Sequence, residues 1–183
     1  MTSMFSIVRI CNATGTPSLP AKVVPIEYRS VYVVHRSGLG ETAAEIAEAF
    51  CGGCQEAAAV TGRRMPYTHV IRRDGMIEQA IPWSTVAPHA AAWNTRSASV
   101  ALVGDFREHA PTVEQWDSLV GLCTLAAVLI GGANGIYGHD ELNGSSLGNT
   151  RKRCPGHKLS MTLLRRCVRD DILRLCHDAG MVW

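Results

Sequence analysis

The chain has 183 residues, of which 46% are hydrophobic and 19% charged, and its formal net charge is +2. This length supports one substantial hydrophobic core and is too short for two domains to be expected. A net charge this small gives no strong field for nucleic acid, so we expect no nucleic-acid partner.

The N-terminal region is predicted to form a strand at residues 5–10 and then a loop at residues 12–25, which contains three prolines and one glycine. We expect residues 1–28 to be an extension that packs on a domain formed by residues 29–183. The first ten residues lack a basic start, a long apolar core and a small-residue cleavage site. We therefore expect synthesis in the cytoplasm without a classical signal peptide.

A strand and a helix are predicted next. The segment at residues 32–35 is a short β-branched run that ends at His35, which is typical of a strand. Thr42 and Glu45 form a capping-box pattern that predicts the start of a first helix. The glycines at positions 52 and 53 each weaken this helix by about 1 kcal/mol relative to alanine, so it either ends at Cys51 or bends before residues 55–60.

The middle of the chain is predicted to form a hairpin followed by a buried strand. Residues 67–72 and 76–79 flank Asp74 and Gly75, a pair that suits the positive φ angles of a two-residue turn. The apolar run at residues 97–103 predicts a strand that is buried on both faces.

Two long helices are predicted in the second half of the chain. Thr112 and Gln115 predict the start of one helix, and Gly131 predicts its end. Its apolar stretch at residues 119–133 is too short for a membrane span, so we expect a buried helix. The other helix is predicted at residues 159–176, with four arginines largely on a second face. The core candidates are Trp116, Leu119, Val120, Cys123, Ala127 and Ile130 in the first helix and Leu163, Leu164, Cys167, Val168, Ile172 and Leu175 in the second.

Strands mixed with helices predict an α/β (mixed α+β) fold. We expect a single domain in which a central mixed β-sheet is flanked by about three helices.

Three residues that lie far apart in the sequence suit a metal site. His35 ends a predicted strand, His139 follows a short apolar segment, and Cys154 follows a loop rich in Gly, Ser and Asn. Two neutral imidazoles and one thiolate suit zinc. Three protein ligands leave the fourth position to a water molecule, whose pKa zinc lowers to about 7. The set therefore predicts a catalytic zinc site in a hydrolase.

Several motifs occur in an order that is typical of one enzyme family. They are residues 67–75, residues 87–97, residues 100–106, and the ending in which Gly138-His139-Asp140 is followed by Lys152-Arg153-Cys154-Pro155-Gly156. With these motifs, the chain from about residue 31 to about residue 161 resembles the zinc amidase family. That family includes phage amidase-type lysozymes, bacterial N-acetylmuramoyl-L-alanine amidases and animal peptidoglycan recognition proteins.

The resemblance implies a role for seven residues and also shows two departures. The implied metal ligands are His35, His139 and Cys154, the implied catalytic pair is Tyr67 and Lys152, and the implied substrate-groove residues are His89 and Asn94. Trp93 is a further groove candidate because it lies between those two. Family members commonly have Tyr-His-aromatic where this chain has Tyr67-Thr68-His69, so we expect His69 to share a strand face with Tyr67. Arg36, which follows the first ligand, adds positive charge near the metal.

The resemblance implies zinc-dependent hydrolysis of the amide bond between N-acetylmuramic acid and L-alanine in peptidoglycan. We expect a monomer with one Zn²⁺ per chain, no membrane span, and access to the cell wall by phage-type release or dedicated secretion. Within the enzyme class the alternatives are a phage-type lysin, a bacterial toxin delivered to rivals and a cytosolic cell-wall recycling amidase. Cys154 as the third ligand with Tyr67 as its partner resembles the bacteriolytic, antimicrobial endolysin branch more than the recycling branch, in which aspartate is typical at that position. A module that binds muropeptide without cleaving it is the alternative from another functional class.

The chain has seven cysteines, and six remain when Cys154 is assigned to the metal. Six could form three disulfides or stay reduced, and synthesis in a reducing compartment favours thiols. Cys51 and Cys54 form a C-x-x-C pair, which allows a third hypothesis, a thiol-redox protein. The sequence has no second such pair and no thioredoxin-like strand before this one, which argues against that hypothesis.

Overall fold

The computed structural model describes residues 10–12, 22–38, 40–53, 65–142 and 154–181. These residues contain six strands: β1 Ile10–Asn12, β2 Val31–Arg36, β3 His69–Ile71, β4 Ile77–Gln79, β5 Ser97–Leu102 and β6 Ile136–Gly138. The strands form one sheet in the order β1-β4-β3-β5-β2-β6. Strands β3, β5, β2 and β6 run parallel to one another, whereas β4 is antiparallel to β3, and β1 is parallel to β4. The predicted mixed sheet is confirmed.

The described residues also contain three long α-helices and one single-turn helix. They are α1 Ala43–Gly53, α2 Val113–Ile130, α3 His139–Leu142 and α4 Met161–Asp178. Short 3-10 turns lie at Ile26–Tyr28, Ala91–Trp93 and Ala133–Gly135. The three long helices correspond to the three predicted ones, and the chain is a single mixed α/β domain, as expected.

The two faces of the sheet are covered by different helices. On one face, Tyr32 and Val34 of β2 are buried in the main core with residues of α2 and α4. On the other face, α1 packs in a second cluster that includes Val70 of β3. Because successive residues of a strand point to opposite faces, His35 lies on the α1 side of the sheet.

Helix α2 begins and packs as the sequence predicts. Thr112 Oγ1 accepts a hydrogen bond from Gln115 N at 3.0 Å, and Gln115 Oε1 accepts one from Thr112 N at 3.2 Å. By length and composition α2 could cross a membrane. Its residues Leu119, Cys123 and Ala127 are nevertheless buried in the main core, so the predicted buried helix is confirmed.

Helix α1 begins with a variant of the predicted capping box. Thr42 Oγ1 accepts a hydrogen bond from Glu45 N at 3.2 Å. The Glu45 carboxylate, however, accepts from Glu41 N at 2.7 Å, one residue before the position that a standard capping box uses. The helix continues to Gly53, so an end at Cys51 is wrong, and the predicted bend before Gln55 falls outside the described residues.

The hairpin between β3 and β4 has a three-residue loop, so the predicted two-residue turn is wrong. Arg72 N donates to Met76 O at 2.9 Å, and Gly75 N donates to Arg72 O at 3.0 Å. The Asp74 carboxylate accepts from Met76 N at 3.0 Å and stabilises this arrangement. Gly75 has φ of +80°, which is typical of a type I turn followed by a left-handed residue, and a Cβ there would collide with Glu114 of α2.

The expectation that His69 shares a strand face with Tyr67 is wrong. The backbone bends at Thr68, where Thr68 N donates to Ser99 Oγ at 3.3 Å and Ser99 N donates to Thr68 Oγ1 at 3.1 Å. This bend interrupts the strand alternation, so Tyr67 packs with Val70 on the α1 side. His69 lies on the opposite side.

His69 is a core residue. Its side chain is fully buried, its Nδ1 lies 3.0 Å from Tyr32 Oη, and its ring packs on Trp83 with centroids 4.7 Å apart. Burial lowers the pKa of His69 to about 3, so the ring is neutral at physiological pH.

Helix α4 buries a narrower stripe than predicted. Leu164 and Val168 are buried, and Cys167 and Ile172 pack against the core. The expectation that Leu163 and Leu175 are core residues is wrong, since they are 48% and 38% exposed. Leu163 lies beside the stripe that contacts α2, and Leu175 falls in the last turn of the helix.

The N-terminal region contributes an edge strand. β1 pairs with β4, with Ile10 opposite Ile77. The predicted strand at residues 5–10 overlaps β1 only at Ile10, because residues 5–9 lie outside the described residues. The domain boundary at residue 28 stays a prediction.

Four cysteines have described side chains, and all are free thiols: Cys123, Cys154, Cys167 and Cys176. The side chains of Cys11, Cys51 and Cys54 lie outside the description, so the C-x-x-C hypothesis stays untested.

Candidate metal centre

Two neighbouring parallel strands bring His35 and His139 together. β2 pairs with β6 in a register that places Val34 opposite Gly138, and the residue that follows each of them is a histidine. Parallel strands in register present such neighbours at the same edge and on the same face of the sheet. The two imidazole centroids lie 4.4 Å apart.

Cys154 completes the group from a separate loop. Asp140 N donates to Cys154 O at 2.9 Å, which ties this loop to the turn that follows β6. Gly156 has φ of +123°, and a Cβ there would clash with the Phe106 carbonyl group. Lys158 N donates to the same Phe106 oxygen at 2.9 Å. The loop is therefore held at the cysteine and just after it.

The three side chains fit a zinc ion. Their ligand atoms all lie within 4.8 Å of one another, and Cys154 Sγ is 3.6 Å from His35 Nδ1. With bonds of about 2.05 Å to nitrogen and about 2.3 Å to sulfur, tetrahedral zinc separates the two atoms by about 3.6 Å. The structure thus brings the three predicted ligands together at a spacing suited to this metal.

The segment that carries His139 is anchored to α4. Gly138 N donates to Glu141 Oε2 at 2.7 Å, and Arg165 donates to both Glu141 oxygens at 2.9 Å. Arg165 Nη1 also donates to Ile136 O at 3.0 Å. Arg165 was expected on a separate polar face of its helix, but it fixes the strand and turn that hold a metal ligand.

Burial sets the protonation of the ligands. It lowers the pKa of His35 well below the ordinary value, and the neighbouring His89 and His139 lower it further. It also lowers the pKa of His139, an effect that Asp140 partly offsets. Both imidazoles are therefore neutral at physiological pH, which is the form that binds metal.

The Cys154 thiol needs a cation in order to ionise. Burial raises its pKa to about 11, although the backbone amide and the guanidinium of Arg36 act in the opposite direction. Arg36 forms an ion pair with Asp105 at 3.2 Å, and Asp105 also binds Arg107. A metal ion deprotonates a coordinating thiol outright, so the site suits a bound cation.

One member of the predicted catalytic pair lies beside the ligands. The Tyr67 ring packs on His35 with centroids 5.1 Å apart. Burial raises the pKa of the Tyr67 phenol, and Cys154 raises it further. Lys152 lies outside the described residues, so its predicted role is untested.

His89 contacts the first ligand. His89 Nδ1 lies 3.2 Å from His35 Nε2, and His89 Nε2 lies 3.1 Å from Ser97 Oγ. The Ser97 hydroxyl in turn donates to Trp93 O at 2.7 Å. Both ring nitrogens of His89 therefore have protein partners, and the side chain is 8% exposed.

Asn94 and Arg29 shape the loop that carries His89. Asn94 Oδ1 accepts hydrogen bonds from His89 N at 3.0 Å and from Ala90 N at 2.7 Å. The buried Arg29 guanidinium donates to the backbone oxygens of Asn94, at 2.9 Å, and of Ser97. Trp93 is partly exposed beneath the Arg96 guanidinium. The substrate-contact roles of His89, Trp93 and Asn94 stay predictions.

A protein family model matches the part of the chain that carries this candidate centre. The family model for N-acetylmuramoyl-L-alanine amidase (Amidase_2) matches residues 27–157, a range that spans all three candidate ligands. The chain belongs to this family.

Solved structures of similar fold come from this amidase family and its relatives. The N-acetylmuramoyl-L-alanine amidase LysC from Clostridium intestinale URNW superposes with a TM-score of 0.70 at 21% identity, over 88% of this chain and 97% of that chain. The Ph2119 endolysin from the Thermus scotoductus MAT2119 bacteriophage Ph2119 has a TM-score of 0.59 at 19% identity, over 87% of this chain and 99% of that chain. At these identities the likeness establishes the fold alone.

A short stretch of this chain is also similar in sequence to a peptidoglycan-recognition protein. Peptidoglycan-recognition protein 2 from Holotrichia diomphalia is 33% identical over 52 residues. The matched segment covers 28% of this chain and 28% of that relative.

Sequence reasoning missed four residues that support the centre: Arg29, Ser97, Glu141 and Arg165. Ser97 carried a usable signal, because a hydroxyl in a fully buried strand must find a hydrogen-bond partner. Glu141 and Arg165 carried none, since their contact depends on how α4 lies against β6.

Proposed function

We propose that this chain is a zinc-dependent N-acetylmuramoyl-L-alanine amidase that hydrolyses the amide bond between N-acetylmuramic acid and L-alanine in peptidoglycan. Family membership supports peptidoglycan amidase activity. The observation that carries the proposal is the convergence of His35, His139 and Cys154 at a spacing that suits zinc. The metal, the scissile bond and action on the bacterial cell wall are all part of the proposal.

Hydrolysis of this amide needs an activated water, stabilisation of charge on the carbonyl oxygen, and a proton for the leaving amine. Zinc, when bound, lowers the pKa of a coordinated water to about 7 and acts as a Lewis acid. The neutral imidazoles of His35 and His139 and the Cys154 sulfur would hold the ion.

Tyr67 and Lys152 supply the remaining interactions in this proposal. Burial raises the pKa of the Tyr67 phenol in the metal-free protein. We assign Tyr67 a hydrogen bond to the attacking water or to the reacting carbonyl group, without assigning it a proton transfer. Lys152 is the cation assigned to the charge that develops on the carbonyl oxygen. Loss of one such electrostatic partner typically lowers the rate by about 10² to 10³.

Purified peptidoglycan provides the direct test. Incubation with the protein should release new amino termini, and mass spectrometry should find stem peptides that begin with L-alanine. Chelation should abolish this release, and added Zn²⁺ should restore it. Cys154→Ser should be inactive, whereas the matched control Cys176→Ser, which changes a cysteine in the last turns of α4, should keep wild-type activity. Cleavage that is indifferent to chelator would contradict the metal role.

The alternative function is muropeptide binding without cleavage. The match to a peptidoglycan-recognition protein favours this alternative, whereas the complete set of three ligands favours the enzyme. The same incubation separates them. Retention of the protein on peptidoglycan without any product, in the presence of saturating Zn²⁺, would identify a binding module and contradict the proposed hydrolysis.

A further inference from the structure

A continuous chain of polar contacts leads from the candidate metal centre into the protein. Its links are Cys154 Sγ to His35 Nδ1 at 3.6 Å, His35 Nε2 to His89 Nδ1 at 3.2 Å, and His89 Nε2 to Ser97 Oγ at 3.1 Å. The chain ends where the Ser97 hydroxyl meets Trp93 O at 2.7 Å. Three of its side chains are at most 8% exposed: His35, His89 and Ser97.

The position of every proton along these contacts follows from the last contact, between Ser97 and Trp93. A carbonyl oxygen only accepts, so the Ser97 hydroxyl donates its single proton to Trp93 O. The Ser97 oxygen must then accept from His89 Nε2–H. A neutral imidazole has one donor and one acceptor, so His89 Nδ1 accepts from His35 Nε2–H. His35 is left with an unprotonated Nδ1, and this is the atom that lies toward Cys154.

We propose that His89 is a positioning residue that fixes the tautomer and ring orientation of His35 for metal binding through Nδ1. A ligating histidine usually donates its second ring N–H to a carboxylate, a backbone carbonyl or water. Here the imidazole of His89 takes the place of that acceptor. Ser97 on β5 in turn fixes the orientation of His89. The proposal rests on the proposed zinc site, but not on cleavage of any substrate.

Hydrogen bonds from neighbouring residues fix the segment that carries His89. Asn94 Oδ1 accepts hydrogen bonds from the backbone amides of His89 and Ala90. Arg29 donates to the carbonyl oxygens of Asn94 and Ser97. The His89 ring itself is 8% exposed and is held between His35 Nε2 and Ser97 Oγ, at 3.2 Å and 3.1 Å. The acceptor at Nδ1 that the relay requires therefore follows from these contacts.

Zinc affinity tests the proposal without any activity assay. The metal-free protein is titrated with Zn²⁺ alone in competition with a chromophoric chelator, at fixed neutral pH. His89→Leu removes the acceptor and should weaken zinc binding about 10- to 100-fold, the range typical for loss of such a partner. His89→Asn, whose amide oxygen can take the place of Nδ1, should lose much less.

A second buried histidine supplies the matched control. His69 is as buried as His89 but lies on the other face of the sheet and does not contact the ligands. His69→Leu should lower stability and leave the zinc dissociation constant unchanged. Equal weakening by the two leucine variants, or unchanged affinity in His89→Leu, would overturn the proposal.

The tautomers themselves provide a readout that does not require a large perturbation. In the metal-free wild type, ¹⁵N NMR of the imidazoles should show both His35 and His89 protonated at Nε2 only. Ser97→Ala removes the acceptor at the end of the relay and should give mixed tautomers at both rings, with intermediate zinc affinity. A His35 ring protonated at Nδ1 in the metal-free wild type would refute the proton assignment even if every leucine variant failed to fold.

Discussion

The anchor between Glu141 and Arg165 should control both stability and metal binding. Glu141 accepts from Gly138 N and from two nitrogens of Arg165, and it lies two residues after the ligand His139. We expect Glu141→Ala to destabilise the metal-free protein and to weaken zinc binding, because the turn that holds His139 loses its link to α4.

The size of the stability effect follows from the exposure of the pair. The side chains are 36% and 23% exposed, so the ion pair is worth about 1 kcal/mol, at the top of the range for surface pairs. The buried Gly138 amide also loses its acceptor, which costs about 1 to 2 kcal/mol more. Glu141→Ala should therefore cost about 2 to 3 kcal/mol, and Glu141→Gln, which keeps an oxygen for Gly138, about 1 kcal/mol.

Urea unfolding of the metal-free protein measures these values. A double-mutant cycle of Glu141→Ala with Arg165→Met should give a coupling energy of about 1 kcal/mol. Although burial alone would raise the pKa of Glu141, Arg165 and Gly138 bring it below its ordinary value of 4.5. The contribution of Glu141 is then complete above about pH 4.5 and is lost as the pH falls through the lower, folded-state pKa. A coupling energy below about 0.3 kcal/mol, or one that persists in strong acid, would refute this reasoning.

Three further results are expected. Gly156→Ala should lower the melting temperature and weaken zinc binding, because a Cβ at this position clashes with the Phe106 carbonyl beside the Cys154 loop. Calorimetry and zinc titration measure the two effects, and unchanged values would contradict the role of the loop. Chelator should lower the melting temperature of the zinc-loaded wild type and leave that of Cys154→Ser unchanged. Because burial lowers the pKa of His69 to about 3, wild-type stability should decline as the pH falls below about 6.5, and His69→Leu should show a shallower decline in urea unfolding at a series of pH values.

The convergence of the candidate ligands His35 and His139 could be predicted because both lie at or next to the ends of short apolar strands. His35 terminates a β-branched run and His139 follows another apolar segment, and parallel neighbours bring such positions to one edge of the sheet. The start of α2 was equally accessible, because the capping box of Thr112 and Gln115 is local in sequence.

The two errors around β3 have different causes. The alternation from Tyr67 to His69 predicted one shared face, but Thr68 bonds to Ser99 on another strand and bends the chain. The spacing of residues does not reveal this distant contact. The turn after β3 was assigned from Asp74 and Gly75 alone, and the local bond from Met76 N to the Asp74 side chain stabilises a longer loop.

The motif at residues 87–97 predicts where its residues lie but not which hydrogen bonds they form. Its histidine and asparagine lie next to the metal centre, as the resemblance implies, yet the Asn94 amide oxygen holds backbone amides and both His89 nitrogens bond within the protein. A substrate can therefore reach His89 only at the ring edge, unless it displaces Ser97 or His35. On this geometry, a His89 variant that impairs catalysis should weaken zinc binding more than it weakens muropeptide binding. Measuring the two affinities separately distinguishes ligand positioning from substrate contact, which the sequence motif alone assigns to the same residue.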